Sequence, residues 1–326
     1  MPNSESPHPK KHAMLSFVLR QWDKLLFLVL LALFFVLMPI QSGRVFQFAV
    51  PGKPLLQLVP FTTPTPAPYP VNRTKVYPGS EVTAEGVVIY DVTSATTMYA
   101  RNGEESLSPA STTKIMTALV ALDSYSLDDV VSVGTVANDG QVMGLIPGEQ
   151  MTVENLLYGA LVFSGNDAAW ALAEHYPGGV DAFVQAMNAK AAKLHLTHTH
   201  FTNPVGYDDR NHKMTATDLT RLAAFALTNK TIAKIVAIPQ ITVSDITYTH
   251  FHALTNVNQL LGKIPGVAGI KTGWTEEAGE NLVTLIDRNG HRVIIVVLKS
   301  QNRFTDTQIL INWVFGNYDW QTFGPS

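Results

Sequence analysis

Residues 109–122 read PASTTKIMTALVAL, a Ser-x-x-Lys motif that runs directly into an apolar stretch. A proline ahead of an apolar run marks a helix start, so Ser111 is predicted in the first helical turn. Unpaired N–H groups at that end would stabilise negative charge near the serine. Lys114 would lie one turn further along the same face, where its amine can reach the Ser111 hydroxyl. The pattern predicts a nucleophilic serine activated by a lysine, and a helix cap with an exposed lysine is the competing interpretation of the tetrapeptide alone.

A second motif, Ser164-Gly165-Asn166, separates two segments of helical periodicity, 151–163 and about 167–175. A loop between two helices can direct side chains into a cleft. Ser164 could there pass a proton to a departing amine, and the Asn166 amide could hold a substrate peptide group. An ordinary turn would be the simpler explanation if this motif stood alone.

The third motif, Lys271-Thr272-Gly273, precedes two strand-like runs, 281–286 and 293–298. The runs are joined by Asp-Arg-Asn-Gly, and an Asn-Gly pair between apolar runs is a strong hairpin signal. We expect the motif on an edge strand, where backbone pairing can bind an extended peptide and the glycine allows close approach. The Lys271 ammonium would supply positive charge for an anionic substrate end.

In this order and context, the motifs resemble those of the D-alanyl-D-alanine carboxypeptidases, the low-molecular-weight penicillin-binding proteins among the serine peptidases. The resemblance covers residues from about 81 to 315. Further matching stretches are 109–118, 143–145, 147–149, 164–169, 201–206 and 302–304. One position departs from the family pattern, because the usual His-x-Ser-Thr-Ala run reads His212-Lys-Met-Thr-Ala, with Met214 in place of the serine.

The resemblance implies that Ser111 is the acylated nucleophile, Lys114 its base and Ser164 a proton relay. It also implies an oxyanion hole formed by the backbone N–H groups of Ser111 and Trp274. The family arginine that holds the substrate carboxylate corresponds to Arg303, whose guanidinium can bind both oxygens; a surface ion pair is the alternative role. The implied substrate-binding residues are Asn166, Lys271, Thr272, Gly273, Trp274 and Arg303.

The reaction that the resemblance implies is removal of the terminal D-Ala from a peptidoglycan stem peptide, with β-lactam antibiotics as covalent inhibitors. A D,D-endopeptidase that cleaves peptidoglycan crosslinks would use the same acyl-enzyme. A catalytically silent penicillin-binding wall protein would keep the cleft without the reaction. A class A β-lactamase needs a glutamate well past the Ser-x-Asn motif. Glu174, the single glutamate between residues 166 and 275, follows that motif too closely.

The region 80–326 is long enough for one domain with its own core. Strand-like segments at 87–91 and 281–298 flank a largely helical region from about 111 to 234. This order suits an antiparallel sheet with strands from both ends of the region, packed against a helical subdomain. We therefore predict an α+β fold, and the resemblance implies the β-lactamase/transpeptidase-like fold.

The N-terminal part of the chain carries an apolar run, 25–40, preceded by four basic residues. Positive charges ahead of such a run place residues 1–24 in the cytoplasm. As a helix the run extends about 24 Å, short for a membrane span, and residues 45–50 could lengthen it. We predict an uncleaved bacterial membrane anchor at 25–48. A cleaved signal peptide with a secreted product is the alternative, disfavoured because no clear small-x-small site follows the run. Both interpretations place the catalytic region outside the cytoplasm.

Composition limits the remaining possibilities. Residues 49–79 contain eight prolines, which is typical of a stiff, extended linker. The 326-residue chain has no cysteine, which excludes disulfides, thiolate ligands and a cysteine nucleophile. A net charge of −3 without a basic stripe argues against nucleic acid as a partner. His195, His198 and His200 have no neighbouring ligand that completes a zinc pattern, so no metal and no cofactor is predicted.

Overall fold

The structure is a computed structural model that describes residues 24–34, 36–37, 67–136 and 139–322. The chain divides into two compact units, Met1–Thr63 and Pro64–Ser326. In the first unit, residues 24–34 and 36–37 are helical and form α1. Among the described residues, no helix combines the length and the apolar character needed to cross a membrane. The predicted anchor at 25–48 extends beyond the described residues, and most of the predicted segments 1–24 and 49–79 lies outside them.

The second unit contains both strands and helices. Its strands are β1 (Tyr69–Asn72), β2 (Gly86–Asp91), β3 (Thr96–Arg101), β4 (Val130–Ser132), β5 (Gln150–Thr152), β6 (Gln240–Ser244), β7 (Phe251–Thr255), β8 (Val267–Thr275), β9 (Gly279–Arg288), β10 (His291–Ser300) and β11 (Tyr318–Gln321). Its helices are α2 (Lys114–Ser124), α3 (Val153–Leu161), α4 (Asn166–Glu174), α5 (Gly179–Lys193), α6 (Ala216–Ala226), α7 (Lys230–Val236) and α8 (Arg303–Asn317), with a 3₁₀ turn at Ala110–Thr113.

Five strands form an antiparallel sheet in the order β3-β2-β10-β9-β8. The central strands carry apolar side chains on both faces, because one face packs against the helical region and the other against α8. From β9, Val283 and Leu285 enter a core shared with the helices, whereas Leu282 and Ile286 enter a smaller core under α8. This alternation is the two-residue period of a strand. β8 lies at the edge of the sheet, which is where the sequence predicted the Lys-Thr-Gly motif.

The helical region packs on one face of this sheet, with α2 at its centre. All residues of α2 from Lys114 to Ala121 are buried, and the helix contacts α3, α4, α5 and α6. Such all-round burial is typical of a helix inside a bundle. The α+β prediction is confirmed. The helices of this region lie between residues 114 and 236, whereas α8 packs on the smaller core of the sheet. Two small ladders, β4-β5 and β6-β7, also lie in this region and had no clear signal in the sequence.

The folded unit begins earlier than residue 80, the predicted boundary. β1 pairs with β11 in an antiparallel ladder, in which Tyr69 lies opposite Gln321. The indole N–H of Trp313 donates to the Val76 carbonyl at 3.1 Å. Residues 69–72 of the predicted linker are therefore extended and held on the domain by backbone pairing, and after a bend at residues 73–74 the chain is held again at Val76.

Candidate active site

The first two predicted residues meet at the start of α2. Ser111 lies in the 3₁₀ turn, and Lys114 is the first residue of the α-helix. The Lys114 Nζ atom is 2.8 Å from Ser111 Oγ, 2.7 Å from Asn166 Oδ1 and 2.8 Å from the Val205 carbonyl oxygen. Burial lowers the pKa of Lys114 to about 7, although the negative charge of Asp167 acts in the opposite direction. At neutral pH a substantial fraction of the Lys114 amine is therefore deprotonated.

Asn166 is oriented by a contact with the loop 139–145. Its Nδ2 donates to the Asp139 carbonyl at 2.8 Å, so its Oδ1 must face Lys114. The neighbouring Asp167 is buried and accepts the backbone N–H groups of three consecutive residues at 2.9–3.1 Å. Those residues are Met143, Gly144 and Leu145. The start of α4 therefore fixes both Asn166, which is a partner of Lys114, and the loop 139–145.

Ser164 and Lys271 form the second hydroxyl–amine pair of the site. The Lys271 Nζ donates to Ser164 Oγ at 2.7 Å and to the Thr272 carbonyl at 2.9 Å. Ser164 has a left-handed backbone with φ of +66°, which turns the chain between α3 and α4. Burial holds the pKa of Lys271 well below its usual range, and the positive charges of Lys114 and Arg303 add to this effect. The structure thus brings the three motifs together around two buried amines.

The edge strand β8 forms one wall of the site. A Cβ atom built on Gly273 would lie 3.1 Å from the Ser111 backbone nitrogen and 3.0 Å from the Pro109 carbonyl. The absence of a side chain therefore lets the strand approach the turn that carries Ser111. The next residue, Trp274, projects outward with 63% of its surface exposed. The Ser111 backbone nitrogen, predicted as one donor of the oxyanion hole, lies at this contact.

Arg303 reaches the same strand from the start of α8. Its Nη1 donates to the Gly273 carbonyl at 2.6 Å, and its backbone N–H donates to Glu280 Oε2 at 2.8 Å. Burial lowers the pKa of Arg303, and Glu280 opposes that effect. Arg303 is therefore a partly buried residue beside the Lys-Thr-Gly motif rather than a surface ion-pair residue.

The loop 202–207 forms a further wall; residues 201–206 match the family pattern, but the sequence predicted no role for them. The Asn203 Oδ1 accepts the backbone N–H groups of Val205, Gly206 and Tyr207 at 2.7–3.2 Å and so shapes the loop. This shape presents the Val205 carbonyl to Lys114. The sequence signal for this tight loop was the glycine at position 206, because glycine readily adopts a positive φ such as the +93° found here.

Met214 and the histidines of the segment 195–200 are placed elsewhere in the domain. Met214, the departure from the family pattern, is buried in the main core and pairs by backbone with Leu107. His198 lies 3.7 Å from Glu104 on the surface. Among the described residues, no cluster of three or more histidine, aspartate or glutamate side chains is arranged to hold a metal ion.

The chain matches a known family over most of the folded unit. A family model described as D-alanyl-D-alanine carboxypeptidase, peptidase family S11, matches residues 72–302. The D-alanyl-D-alanine carboxypeptidase DacF of Bacillus subtilis is 33% identical over 246 residues, which cover 72% of this chain and 63% of that protein. The D-alanyl-D-alanine endopeptidase of Pseudomonas aeruginosa is 33% identical over 243 residues, which cover 72% of this chain and 78% of that protein.

A solved structure shares the architecture. The Streptomyces K15 DD-transpeptidase matches with a TM-score of 0.69 and 34% sequence identity, covering 74% of this chain and 99% of that one. This similarity confirms the predicted transpeptidase-like fold.

Substitution of Gly206 by alanine tests how closely the loop must approach Ser111. A Cβ atom on Gly206 would lie within 1.9 Å of the Ala110 carbonyl oxygen, whereas Gly148, with φ of +87°, has no atom within 4 Å. Both alanine variants incur backbone strain of about 1–2 kcal/mol, and Gly206→Ala adds a steric cost of about 1–3 kcal/mol. We expect Gly206→Ala to lower the free energy of unfolding in urea clearly more than Gly148→Ala. Equal losses would contradict so close an approach of the loop to Ala110.

Proposed function

Because the chain belongs to the D-alanyl-D-alanine carboxypeptidase family of serine peptidases, we propose that it removes the terminal D-Ala from peptidoglycan stem peptides. Ser111 Oγ would form an ester with the penultimate D-Ala carbonyl carbon as the peptide bond breaks. The terminal D-Ala leaves with a proton on its amine, and water then hydrolyses the ester. β-Lactam antibiotics would acylate the same oxygen as covalent inhibitors.

The observation that carries this proposal is the set of partners around the Lys114 amine. A neutral amine has two N–H donors and one lone pair. Asn166 Oδ1 and the Val205 carbonyl can only accept, so they take the two N–H groups. The remaining partner, the Ser111 hydroxyl at 2.8 Å, is the group that can donate to the lone pair. This arrangement supports Lys114 as the base that activates Ser111.

Ser164 is proposed as the proton relay to the departing amine. Its Oγ accepts a hydrogen bond from Lys271 at 2.7 Å, which leaves its own proton available for the leaving group. The positive charge that Lys271 carries when protonated would also favour a substrate carboxylate.

The substrate would bind along β8. An extended peptide can pair with this edge strand, with Thr272 and Gly273 beneath it and Asn166 on the opposite wall. The terminal carboxylate would contact Lys271, Thr272 and Arg303. The backbone N–H groups of Ser111 and Trp274 would stabilise the tetrahedral oxygen.

A D,D-endopeptidase that cleaves peptidoglycan crosslinks is the second candidate function. The similarity to the Pseudomonas aeruginosa endopeptidase favours it. The acyl-enzyme is the same in both reactions, and only the group on the leaving side differs. That side of the cleft is therefore what separates the two activities.

The N-terminal segment 25–48 is proposed as an uncleaved membrane anchor that keeps the catalytic domain outside the cytoplasm near the cell wall. In its described part, apolar side chains from Leu25 to Leu37 are exposed around α1. A helix that is apolar all round suits a lipid environment. The alternative remains release of the domain after cleavage of this segment.

Release of D-alanine from a peptide ending in D-Ala-D-Ala tests the main proposal. We expect the protein to release it and Ser111→Ala to lose at least about 10³-fold in rate, because no other nucleophile would form the ester. A crosslinked dimeric stem peptide, assayed in parallel, tests the endopeptidase candidate. Cleavage of the dimer alone would replace the main proposal with the second candidate. A penicillin label on Ser111 without either cleavage would indicate a silent penicillin-binding protein.

The pH dependence of acylation tests the role of Lys114. Since burial lowers the pKa of Lys114 to about 7, the neutral amine becomes dominant above that pH. The second-order rate constant for penicillin acylation should rise about tenfold per pH unit below about 7 and level off above it. Lys114→Arg should be inactive throughout, because its guanidinium stays protonated. A flat parent profile between about pH 5.5 and 8 would rule out Lys114 as the base.

Fractionation of bacteria that produce the full chain tests the anchor. We expect the intact chain to stay in the membrane pellet after a carbonate wash, and a variant lacking residues 25–48 to lose that association. Soluble protein whose mass shows removal of the N-terminal segment would instead support the cleaved form.

A further inference from the structure

His212 connects two walls of the site without facing the cleft. Its ring is buried, with 1% of the residue exposed, and lies between the turn that carries Ser111 and the loop 202–207. Nε2 is 2.8 Å from Thr113 Oγ1, and Nδ1 is 3.1 Å from the Thr202 backbone nitrogen. Phe201 packs edge-on against the ring and holds its plane.

The hydrogen-bond partners define the tautomer of the ring. The Thr202 backbone N–H can only donate, so Nδ1 must be the unprotonated nitrogen. In the neutral ring the proton is then on Nε2, which donates to Thr113 Oγ1. Burial lowers the pKa of His212 to about 4, which keeps the ring neutral across the working pH range.

Both partners of His212 belong to segments that contact the Lys114 amine. Thr113 immediately precedes Lys114 and belongs to the 3₁₀ turn with Ser111. Thr202 immediately precedes Asn203, whose side chain shapes the loop that offers the Val205 carbonyl to the Lys114 amine. Asn203 Nδ2 also lies 3.3 Å from His212 Nδ1. A displacement of either wall relative to the other would alter the surroundings of the Lys114 amine.

We propose that His212 is a positioning residue for acylation of Ser111, because its neutral ring holds the 3₁₀ turn and the loop 202–207 in register around Lys114. This inference rests on the proposed function, since it concerns the rate at which Ser111 is acylated. The ring touches neither substrate nor reacting atoms, and it acts through Thr113 and the loop. Its loss would let the loop relax and water approach the amine.

The kinetics of labelling by a fluorescent penicillin separate this role from a purely structural one. The amplitude of labelling reports the folded fraction, and the rate constant reports the geometry of the folded site. For His212→Phe we expect a rate constant about 10–100-fold below that of the parent at pH 7. We also expect its pH profile to move to higher pH, because a better hydrated Lys114 has a pKa closer to its usual value.

Other charged groups lie near His212 and Lys114 and contribute to the pH profiles. Asp209, His200 and Lys213 surround His212, and Asp167 and Lys271 lie near Lys114. None of these five residues is changed in the variants, so they are shared by all profiles. His195→Asn is the matched control: this exposed histidine has φ of +55°, which asparagine tolerates, and its labelling kinetics should equal those of the parent.

Further variants probe each half of the connection. Thr113→Val removes the acceptor for Nε2 while preserving side-chain volume, and its effect should not add to that of His212→Phe. His212→Asn keeps an acceptor near Thr202, and His212→Gln keeps a donor toward Thr113. Each should label more slowly than the parent. Parent-like rates in either would overturn the inference, because one half of the connection would then suffice.

Two outcomes distinguish failure of this inference from failure of the proposed function. The positioning role alone would be overturned if the parent is labelled and both His212→Phe and Thr113→Val keep its rate constant and pH profile, with only a lower labelling amplitude. A parent that is not labelled at Ser111 would overturn the proposed function together with this inference.

Discussion

The burial of the Lys114 amine is the constraint on which the site depends. A primary amine removed from water needs polar partners, and here they come from separate segments: the 3₁₀ turn, the start of α4 and the loop 202–207. The same burial that demands these partners brings the pKa of Lys114 to about 7. Burial of the amine therefore accounts both for the contacts among these three segments and for the lowered pKa of Lys114. Any change that admits water to the amine would loosen the walls and weaken the base together.

A second consequence is the concentration of basic groups in a partly dry cleft. Lys114, Lys271 and Arg303 all have a lowered pKa, with burial as the largest cause, and Lys114 and Arg303 both act on Lys271. Backbone carbonyls of Val205, Thr272 and Gly273 accept from these groups and offset part of the electrostatic cost. An anionic ligand would complete the compensation, which is why a cleft of this composition suits a substrate that ends in a carboxylate.

Local sequence patterns predicted the parts of the site that depend on local geometry. The spacing of Ser111 and Lys114 defines their contact because both lie on one helical turn, and the hairpin signal located Lys271 on the edge strand. The partners contributed by Val205 and His212 were not assigned, because backbone carbonyls and distant hydrogen bonds leave no periodic pattern. The pairing of β1 with β11 was missed for a similar reason, since proline-rich composition indicates an extended chain but not what pairs with it. The individual catalytic and substrate-binding roles remain predictions that the fold does not test.

The pairing of β1 with β11 has a topological consequence. Because Tyr69 lies directly opposite Gln321, the chain enters and leaves the folded unit about 5 Å apart. A domain with adjacent entry and exit points can be inserted as a module into a loop of another protein without stretching its host. For the same reason, a short linker between residues near 67 and 322 would close the backbone into a ring. New chain ends could then be opened in a surface turn far from the cleft, giving a circular permutant with an unchanged arrangement around Ser111.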